Sequence, residues 1–542
     1  MTRLWLALLA GVVVSTGFGA DPLQSVWGHP ERLLGVMGIA LGFGAFLVGC
    51  SAGPGALPKV HTAVVAAAGV VSVIALGQFL LGDLGRPTGS LGNAGFLGAY
   101  LCLALPIAVS RALAADRYRL VFTGMVAVGV LALAATTTRG AWIGAAAGVG
   151  AVALLRWRAL WAVLPIAAAI AVALIAPVRD RDTARGRLDT WSESIAVVKE
   201  RPALGWGPEG FRTGFASVVS TDWVRTYTLE QTPDRSHNRF IDIAATTGTV
   251  GVLADLGLIV CVALALRRAL RTHERGSETW WAIAGTAGAV IGYIAQGLFL
   301  FDTFDLSVVA WTLVGLTVGV GGAAGARNLP SRTVVKLAVA AALLSVVACL
   351  NVVADRLVQS ASGRPDAQAV QILDRAAALR PRALDTYLLA GAVALASDDP
   401  AVSHEAHALL RTWADPHVRL RDADVLAHQA RLTRDRALAQ RAAVAYRLGL
   451  RDAPTNGPGW LGLGTTLLRL GDRDDALRAL RRADRLMPAR FEPPLNLATL
   501  AFARGDNAEG CRQLGVASRR RGAPSRRDLG RVAPVDCGIF PL

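Results

Sequence analysis

The feature that most constrains this chain is a series of long apolar runs. Up to about residue 351, stretches of Leu, Val, Ala and Gly recur with lengths of roughly 16–25 residues, the length of α-helix that crosses a bilayer core. Over all 542 residues, 53% are hydrophobic and the mean hydropathy is +0.43. These runs exclude a soluble enzyme and a simply disordered chain. They predict an all-α fold with a polytopic bundle of transmembrane helices.

We predict eleven spans, at about residues 4–19, 31–50, 61–82, 94–112, 120–136, 141–155, 159–177, 240–266, 279–301, 306–325 and 334–354. The membrane domain then covers residues 1–354 and contains one long extracytoplasmic loop at about 178–238. An odd number of spans places the remaining domain, residues 355–542, on the side of the membrane opposite to the N-terminus.

The basic residues orient these spans. With the N-terminus in the cytoplasm, the cytoplasmic loops hold 14 Lys or Arg against 3 Asp or Glu, a net charge of +11, and the rest of the first 354 residues carries −3. Positively charged loops stay preferentially on the cytoplasmic side, so this orientation is favoured over its reverse. The first run also resembles a signal peptide that ends at Ala20, which would leave ten spans and the same orientation.

The formal net charge of +16 and the isoelectric point near 10.6 would suggest a nucleic-acid partner for a soluble protein. Here half of that charge lies in the membrane domain and mainly orients it. Residues 355–542 hold 29 Arg, no Lys and 21 Asp or Glu, a net charge of +8. We therefore predict no nucleic-acid partner, and an Arg-rich exported domain that meets acidic glycan or lipid head groups.

A period of 34 residues organises this C-terminal domain. Pro454 and Pro488 are 34 residues apart, and so are the Gly-Asp pairs that begin at Gly471 and Gly505. This period, with Pro after the second helix and Gly-Asp in the turn, is typical of tetratricopeptide repeats. We predict a tetratricopeptide-like α-solenoid, whose concave face would offer a site for a protein partner. A packing or assembly module without a ligand of its own is the equal alternative.

Six cysteines occur in the chain, and four of them lie in predicted spans as small apolar side chains. Cys511 and Cys537 are the two in the exported domain. A disulfide between them is one of two open possibilities in an oxidising compartment.

Two arginines lie at predicted extracytoplasmic ends of spans, where the charge rule does not place basic residues. Arg86 lies in a loop rich in Gly and small polar residues that ends at Asn93, and Arg139 lies in the short turn 136–142. An ionisable side chain at such a depth is a functional hypothesis, since moving it into lipid costs about 2.5–3.5 kcal/mol on insertion scales. Snorkelling to lipid phosphate groups is the alternative explanation.

The long loop adds further candidates. A predicted amphipathic helix carries Arg187. The Gly/Pro turn that follows contains Gly205 and Gly207, and glycines let the backbone approach a ligand closely. The loop then ends at Arg235, His237 and Asn238. A histidine can take a proton near neutral pH, and the fork of an arginine matches diphosphate oxygens. Taken alone, each of these residues is more simply explained as part of a polar loop.

Together, these motifs resemble the O-antigen ligase family of bacterial membrane glycosyltransferases, which is related to the O-antigen polymerases. The resemblance covers roughly residues 85–316. It rests on residues 89–93 (the family's Gly-x-x-Gly-Asn loop), 138–142 (its Ser-Arg-Gly segment), 191–207 (ending in Pro-x-Leu-Gly-x-Gly) and 237–238 (His-Asn) ahead of Gly248 and Gly251. Thr138 replaces the usual Ser, and Thr246 stands where many members carry an acidic residue.

The resemblance implies a GT-C-like bundle that transfers a glycan from an undecaprenyl-diphosphate donor to an acceptor at the outer face, usually with inversion. It implies neither a metal ion nor another cofactor. Arg139, with Arg86 and Arg187 as helpers, would clamp the diphosphate, and His237 would orient or deprotonate the acceptor hydroxyl. The remaining residues of the substrate site would be Asn93, Gly205, Gly207, Arg235 and Asn238, with Asn238 holding the loop geometry.

Several alternatives remain open at this stage. The acceptor could be a glycan, a glycolipid or a protein, so ligase, polymerase and protein O-oligosaccharyltransferase activities all fit the motifs. A transporter or flippase would explain the many spans, with Asp255 inside a span as the residue that fits best. A non-catalytic assembly scaffold is a third class. The carboxylates of Asp242, Asp302 and Asp305 could supplement the site. In every case we predict a multi-pass protein of the bacterial cytoplasmic membrane in contact with membrane lipid.

Overall fold

The computed structural model describes residues 1–29, 32–53, 55–82, 85–114, 117–156, 181–227, 233–321, 331–525, 528–529, 531–533 and 537. Among these residues there are helices and turns and no β-strand, so the prediction of an all-α fold with a helical bundle is confirmed. The span predicted at 159–177 lies outside the described residues. The chain forms two compact units, Met1–Phe211 with Asp234–Ser345 and Arg212–Pro233 with Val346–Leu542.

The first fourteen described helices run as far as residue 361. They are α1 (Thr2–Gly17), α2 (Pro22–Trp27), α3 (Val36–Ser51), α4 (Ala56–Leu81), α5 (Ala94–Ala114), α6 (Arg119–Ala135), α7 (Arg139–Arg156), α8 (Arg181–Glu200), α9 (Phe211–Val218), α10 (Thr221–Tyr227), α11 (Arg239–Thr272), α12 (Glu278–Gly297), α13 (Phe304–Val320) and α14 (Ser331–Ala361). Ten of the predicted spans coincide with α1, α3 to α7 and α11 to α14. Among the described helices, α4, α5 and α11 are long and apolar enough to cross a membrane, and α1, α3, α6 and α13 are shorter apolar helices. The exact number of spans therefore stays a prediction.

Glycines allow the central helices of the first unit to pack closely. A β-carbon added at Gly148 of α7 would lie 2.6 Å from the carbonyl oxygen of Gly288 in α12, and one added at Gly144 would lie 2.7 Å from that of Gly292. Small residues at a helix–helix contact let the two backbones approach, which supplies packing energy where lipid provides no hydrophobic driving force. The α7–α12 contact therefore fixes the start of α7, where Arg139 lies.

The second unit consists mainly of consecutive helical hairpins. Its further helices are α15 (Ala367–Leu379), α16 (Leu384–Leu395), α17 (Pro400–Leu410), α18 (Pro416–Thr433), α19 (Arg436–Asp452), α20 (Gly457–Leu470), α21 (Arg473–Leu486), α22 (Glu492–Ala503) and α23 (Asn507–Ser518). The helices pack in sequence as α18 on α19, α20 on α21 and α22 on α23.

The repeated Gly-Asp pairs have the same role in two successive hairpins. Gly471 and Gly505 adopt left-handed backbone conformations, with φ of +85° and +80°. Asp472 then caps α21 and Asp506 caps α23, each through its side-chain oxygen. These turns agree with the 34-residue period, while the assignment to the tetratricopeptide class stays a prediction.

The second unit also contains part of the long loop, which the sequence did not predict. Arg225, in the loop helix α10, donates a hydrogen bond from Nε to the carbonyl oxygen of Arg485 in α21 (2.7 Å). Its boundary with the first unit lies at 345/346, against the predicted 354/355. Residues 212–233 of the loop thus belong to the same compact unit as residues 346–542. Cys511 and Cys537 form a disulfide in this unit, which settles the possibility that the sequence left open.

Candidate active site

The 298–301 turn, which joins α12 to α13, contacts the two predicted motifs of the long loop. The carbonyl oxygen of Leu298 accepts a hydrogen bond from Nδ2 of Asn238 (3.1 Å). The carbonyl oxygen of Phe299 accepts one from Nη1 of Arg187 (3.5 Å). The turn therefore ties α8 and the start of α11 to the same short piece of backbone.

The other two motifs pack against the side chains of this turn. A β-carbon added at Gly140, in the Thr-Arg-Gly segment, would lie 2.5 Å from the β-carbon of Phe299. One added at Gly95, just after the Gly-Asn loop, would lie 3.5 Å from Cδ1 of Leu300. Asn93 holds this place by accepting a hydrogen bond from the N–H of Gly95 (2.7 Å). The ring of Trp191, at the start of the 191–207 motif, lies 6.5 Å from the ring of Phe299, centroid to centroid. The four motifs therefore converge on the 298–301 turn, three of them through their own residues and the Gly-Asn loop through the neighbouring Gly95.

The residues predicted to bind diphosphate, Arg86 and Arg139, are linked through the 136–138 turn. Arg86 donates from Nε to the carbonyl oxygen of Thr136 (3.0 Å) and from Nη2 to Oγ1 of Thr138 (2.9 Å). Arg139 is the next residue and begins α7. Both acceptors of Arg86 are neutral, and no carboxylate of the described residues pairs with it, so this exposed side chain keeps its positive charge.

His237 has the protonation state of a general base. Its imidazole lies 5.4 Å from the ring of Phe301, centroid to centroid. Burial lowers the pKa of His237 below the ordinary 6.5, Asp234 opposes this shift, and Arg187 and Arg32 reinforce it. The ring is therefore neutral at neutral pH and can accept a proton. Its backbone is left-handed, with φ of +53°, a conformation that non-glycine residues adopt rarely and often at functional sites.

Asn238 positions the histidine. Its Oδ1 accepts hydrogen bonds from the N–H groups of Phe240 (3.0 Å) and Ile241 (3.2 Å), which caps α11. Its Nδ2 donates to the 298–301 turn, as described above. These contacts are those of a residue that holds the loop geometry, the role predicted for Asn238.

A buried ion network holds the segment that precedes His237. Glu209 pairs with Arg235 (2.7 Å) and Arg32 (3.1 Å), Arg235 also pairs with Asp242 (2.5 Å), and Arg32 also pairs with Asp234. Burial alone would raise the pKa of Glu209, but the two guanidinium groups outweigh it and hold that pKa below its usual range. Glu209 is therefore ionised at neutral pH.

This network changes the interpretation of Arg235. The sequence predicts that Arg235 binds diphosphate, but its side chain is 5% exposed and its charge is compensated by two carboxylates. We therefore assign Arg235 a positioning role. Glu209 and Arg32 belong to the same network, and the sequence gives no sign of their pairing because they are 177 residues apart.

The Gly/Pro segment of the loop fits a break in α11. At Gly248 the backbone leaves helical geometry, with φ of +64° and ψ of −163°, and the carbonyl groups before the break lose their partners in the helix. The N–H groups of Trp206 and Gly207 donate to the carbonyl oxygens of Ala245 and Thr246, both at 2.9 Å. The loop thereby satisfies backbone groups that would otherwise be costly to bury.

The close approach predicted for Gly205 and Gly207 is to the protein's own backbone. Both residues are left-handed, with φ of +70° and +86°. A β-carbon at Gly205 would lie 2.5 Å from the carbonyl carbon of Thr246, and one at Gly207 would lie 2.9 Å from Cα of Gly19. Their contribution to a substrate site stays a prediction, whereas their contribution to the scaffold is direct.

The carboxylates of the bundle are paired as well. Arg239 pairs with Asp255 (2.6 Å) and Asp302 (2.7 Å), and the hydroxyl of Tyr293 donates to Asp302 (2.6 Å). The pairing of Asp255 inside the bundle agrees with a structural role for that residue. No group of three or more His, Cys, Asp or Glu side chains suited to a metal ion occurs in the described part of the chain.

Comparison with known proteins shows what this part of the chain is similar to. Residues 124–255 match the family model described as O-Antigen ligase. This segment of the chain is thus similar to the O-antigen ligase family. The matched segment contains Arg139, Arg187, Arg235, His237 and Asn238, while Arg86 and Asn93 precede it.

The chain is also similar to the exopolysaccharide production protein ExoQ of Rhizobium meliloti (strain 1021), which is 27% identical over 202 residues. These residues cover 37% of the chain and 43% of ExoQ, so the match spans less than half of that relative. The two comparisons support a membrane protein of polysaccharide assembly.

Sequence reasoning missed the 298–301 turn. Its residues are apolar and close a predicted span, so they look like the end of a membrane helix. The sole signal is the pair of phenylalanines, Phe299 and Phe301, next to Asp302. Aromatic residues at a span end are common at membrane interfaces, and their convergence with four other motifs can be seen only in three dimensions.

Proposed function

We propose that this chain is a membrane glycosyltransferase that moves a glycan from an undecaprenyl-diphosphate donor to a hydroxyl group of an extracytoplasmic acceptor. The convergence of four separate motifs on the 298–301 turn is the observation that carries the proposal. It brings a neutral, half-buried histidine into the same site as several arginines. The family match over Arg139 and His237 supports the same chemistry.

The roles follow from the charge changes of the reaction. The acceptor oxygen attacks the anomeric carbon, the bond from that carbon to the diphosphate oxygen breaks, and the acceptor proton passes to the neutral imidazole of His237. Negative charge grows on the departing diphosphate, and Arg139, assisted by Arg86 and Arg187, stabilises it. Attack from the face opposite the leaving group gives inversion at the anomeric carbon.

The proposal is tested by glycan transfer with the purified full chain and a lipid-diphosphate glycan. We expect His237→Gln to lower the rate by about 10²–10⁴-fold, the typical contribution of a general base. We expect Arg139→Gln to lower it by about 10²–10³-fold, the typical effect of removing one group that stabilises developing charge. His273→Gln and Arg267→Gln, at the other end of α11, are the matched controls and should retain activity.

Full activity of both site variants would show that the site is assigned wrongly. Loss of activity together with loss of the folded peak in size-exclusion chromatography would indicate a structural effect, so each variant is compared with wild type by thermal unfolding. Transfer by a chain that ends near Ala354 would show that the repeats are dispensable for the chemistry.

The similarity to an exopolysaccharide production protein favours a polysaccharide polymerase as the second candidate. The two activities differ in the product that accumulates without the enzyme. Cells lacking a ligase should accumulate lipid-linked polymer, and cells lacking a polymerase should accumulate single lipid-linked repeat units. Mass spectrometry of the lipid fraction distinguishes them.

A further inference from the structure

The second unit contains a cationic cavity that the proposed chemistry does not use. The cavity has a volume of about 470 Å³, within the range of about 300–1,000 Å³ typical of ligand pockets. It is formed by α18, the first turn of α19, α20 and the turn between α18 and α19, and four arginines line it: Arg431, Arg434, Arg436 and Arg469.

Two of these arginines, Arg431 and Arg436, are held in place by uncharged hydrogen-bond acceptors. Arg431 donates from Nη2 to Nδ1 of His428 (2.8 Å), whose Nε2 donates to the carbonyl oxygen of Ser397 (2.9 Å). This arrangement requires a neutral imidazole. Arg436 donates from Nη2 to the carbonyl oxygen of Leu470 (3.0 Å). Both acceptors are uncharged, so these hydrogen bonds orient the two guanidinium groups without forming an ion pair.

No carboxylate among the described residues lies within ion-pair distance of any of the four arginines, and the buried carboxylate of Asp424 interacts with Arg431 only over a longer range. One acidic residue, Asp435, lines the cavity, but its side chain accepts hydrogen bonds from the N–H groups of Ala437 (2.7 Å) and Leu438 (3.3 Å) and caps α19. Arginines elsewhere in the unit do have acidic partners, as in the pairs Arg419–Asp452 and Arg520–Asp484.

Burial and a neighbouring positive charge both act on Arg469. Partial burial lowers its pKa, and the neighbouring Arg431 lowers it further. Like charges gathered in one cavity repel each other, and an anion in the cavity would relieve that repulsion. The fork of each guanidinium matches the two oxygens of a carboxylate or phosphate group.

We propose that this cavity binds an acidic oligosaccharide, with the four arginines of α18, the α18–α19 turn, α19 and α20 contacting its carboxylate or phosphate groups. The hydroxyl oxygens of Thr465 and Thr466 also line the cavity and can accept hydrogen bonds from sugar hydroxyls. No aromatic side chain is among the described lining residues, which disfavours nucleobases, since these bind by stacking. The choice of a saccharide over another polyanion rests on the proposed function of the first unit.

The test is direct binding to the full chain in detergent, measured by fluorescence anisotropy with a labelled tetragalacturonate. Maltotetraose serves as the neutral saccharide and inorganic phosphate as the free anion. We expect tetragalacturonate to bind and Arg431→Gln/Arg469→Gln to weaken its binding at least about tenfold. The matched control, Arg375→Gln/Arg481→Gln, removes two exposed arginines from the same unit outside the cavity and should bind like wild type.

Each alternative result overturns the proposal. Equal weakening in both double variants would mean a diffuse charge effect, and equal binding of maltotetraose would mean that the arginines do not recognise acidic groups. Inorganic phosphate that binds as tightly as tetragalacturonate would indicate a simple anion site. Binding is measured without glycan transfer, so an inactive first unit would leave this result unaffected. Thermal unfolding of both double variants checks that the repeats remain folded.

Discussion

Replacing Glu209 by Gln tests the buried ion network beside His237. The side chain of Glu209 is 2% exposed, and its partners Arg32 and Arg235 are 4% and 5% exposed. Gln keeps the size and removes the charge, so two buried guanidinium groups lose a shared counter-charge. Breaking a buried ion pair costs about 3–5 kcal/mol, because the remaining charge is uncompensated. Arg32 and Arg235 each retain one carboxylate, so we expect the lower end, about 3 kcal/mol.

The measurement is thermal unfolding of the full chain in detergent at pH 7. Each kcal/mol of lost unfolding free energy lowers the melting temperature of a domain of this size by about 2 °C or more. The loss of about 3 kcal/mol should therefore lower the melting temperature of the first unit by roughly 6 °C. Glu209 is ionised in the folded chain with a pKa below the ordinary 4.5, so its stabilisation is fully present above that pH and is lost only as pH falls through the lowered pKa. A pH of 7 therefore samples the full effect.

Glu274→Gln, at an exposed position in the α11–α12 connection, is the matched control and should melt like wild type. Glu209→Gln should also slow glycan transfer at temperatures where the chain is folded, because the network holds the segment that carries His237. A melting temperature of Glu209→Gln within about 1 °C of wild type would refute this prediction. It would mean that Asp234 and Asp242 stabilise the buried charges of Arg32 and Arg235 without Glu209.

Three further predictions test other parts of the structure. The base His237 is neutral above its lowered pKa, so kcat/KM for transfer should stay high as pH falls through 6.5. Asp234→Asn removes a group that raises this pKa and should move the acidic limb of the pH profile of kcat/KM to still lower pH. An acidic limb at the same pH in both proteins would contradict the assignment of His237 as the base. Gly205→Ala places a β-carbon 2.5 Å from Thr246, whereas the β-carbon of Gly276→Ala, also at a left-handed position with φ of +90°, meets no atom within 4 Å. Gly205→Ala should therefore lower the melting temperature more than Gly276→Ala. Equal effects would mean that backbone strain alone, and not the close contact with Thr246, causes the loss of stability. Cys511→Ser should destabilise the second unit by about 2–4 kcal/mol, and reductant should bring wild type to the same melting temperature while leaving the variant unchanged.

The sequence predicts the elements of this protein better than their contacts. Apolar runs long enough to cross a bilayer establish the membrane helices, and the 34-residue spacing from Gly471 to Gly505 predicts turns that the structure contains. Both signals are local, because a span or a turn is determined by the residues within it. The pairing of Arg32 with Glu209, in contrast, depends on how the loop returns to the bundle. A basic residue near a span end looks the same in sequence whether it is buried in a network, as Arg235 is, or keeps its charge at the surface, as Arg86 does.

The break in α11 bears on the choice between an enzyme and a transporter. Broken helices and buried carboxylates often form substrate pathways in transporters, where the freed groups face a cavity. Here the break at Gly248 is satisfied by the loop: Pro202 accepts a hydrogen bond from the N–H of Thr249 (2.8 Å), in addition to the loop bonds before the break. The carboxylate of Asp255 is likewise engaged by Arg239. The backbone groups at the break and the carboxylate of Asp255, the residue that best fits a transporter, are thus occupied by protein partners. The uncompensated charge of Arg86 lies instead at the end of the bundle where the four motifs meet, which is the arrangement expected of a site that binds and cleaves a diphosphate ester at the membrane face.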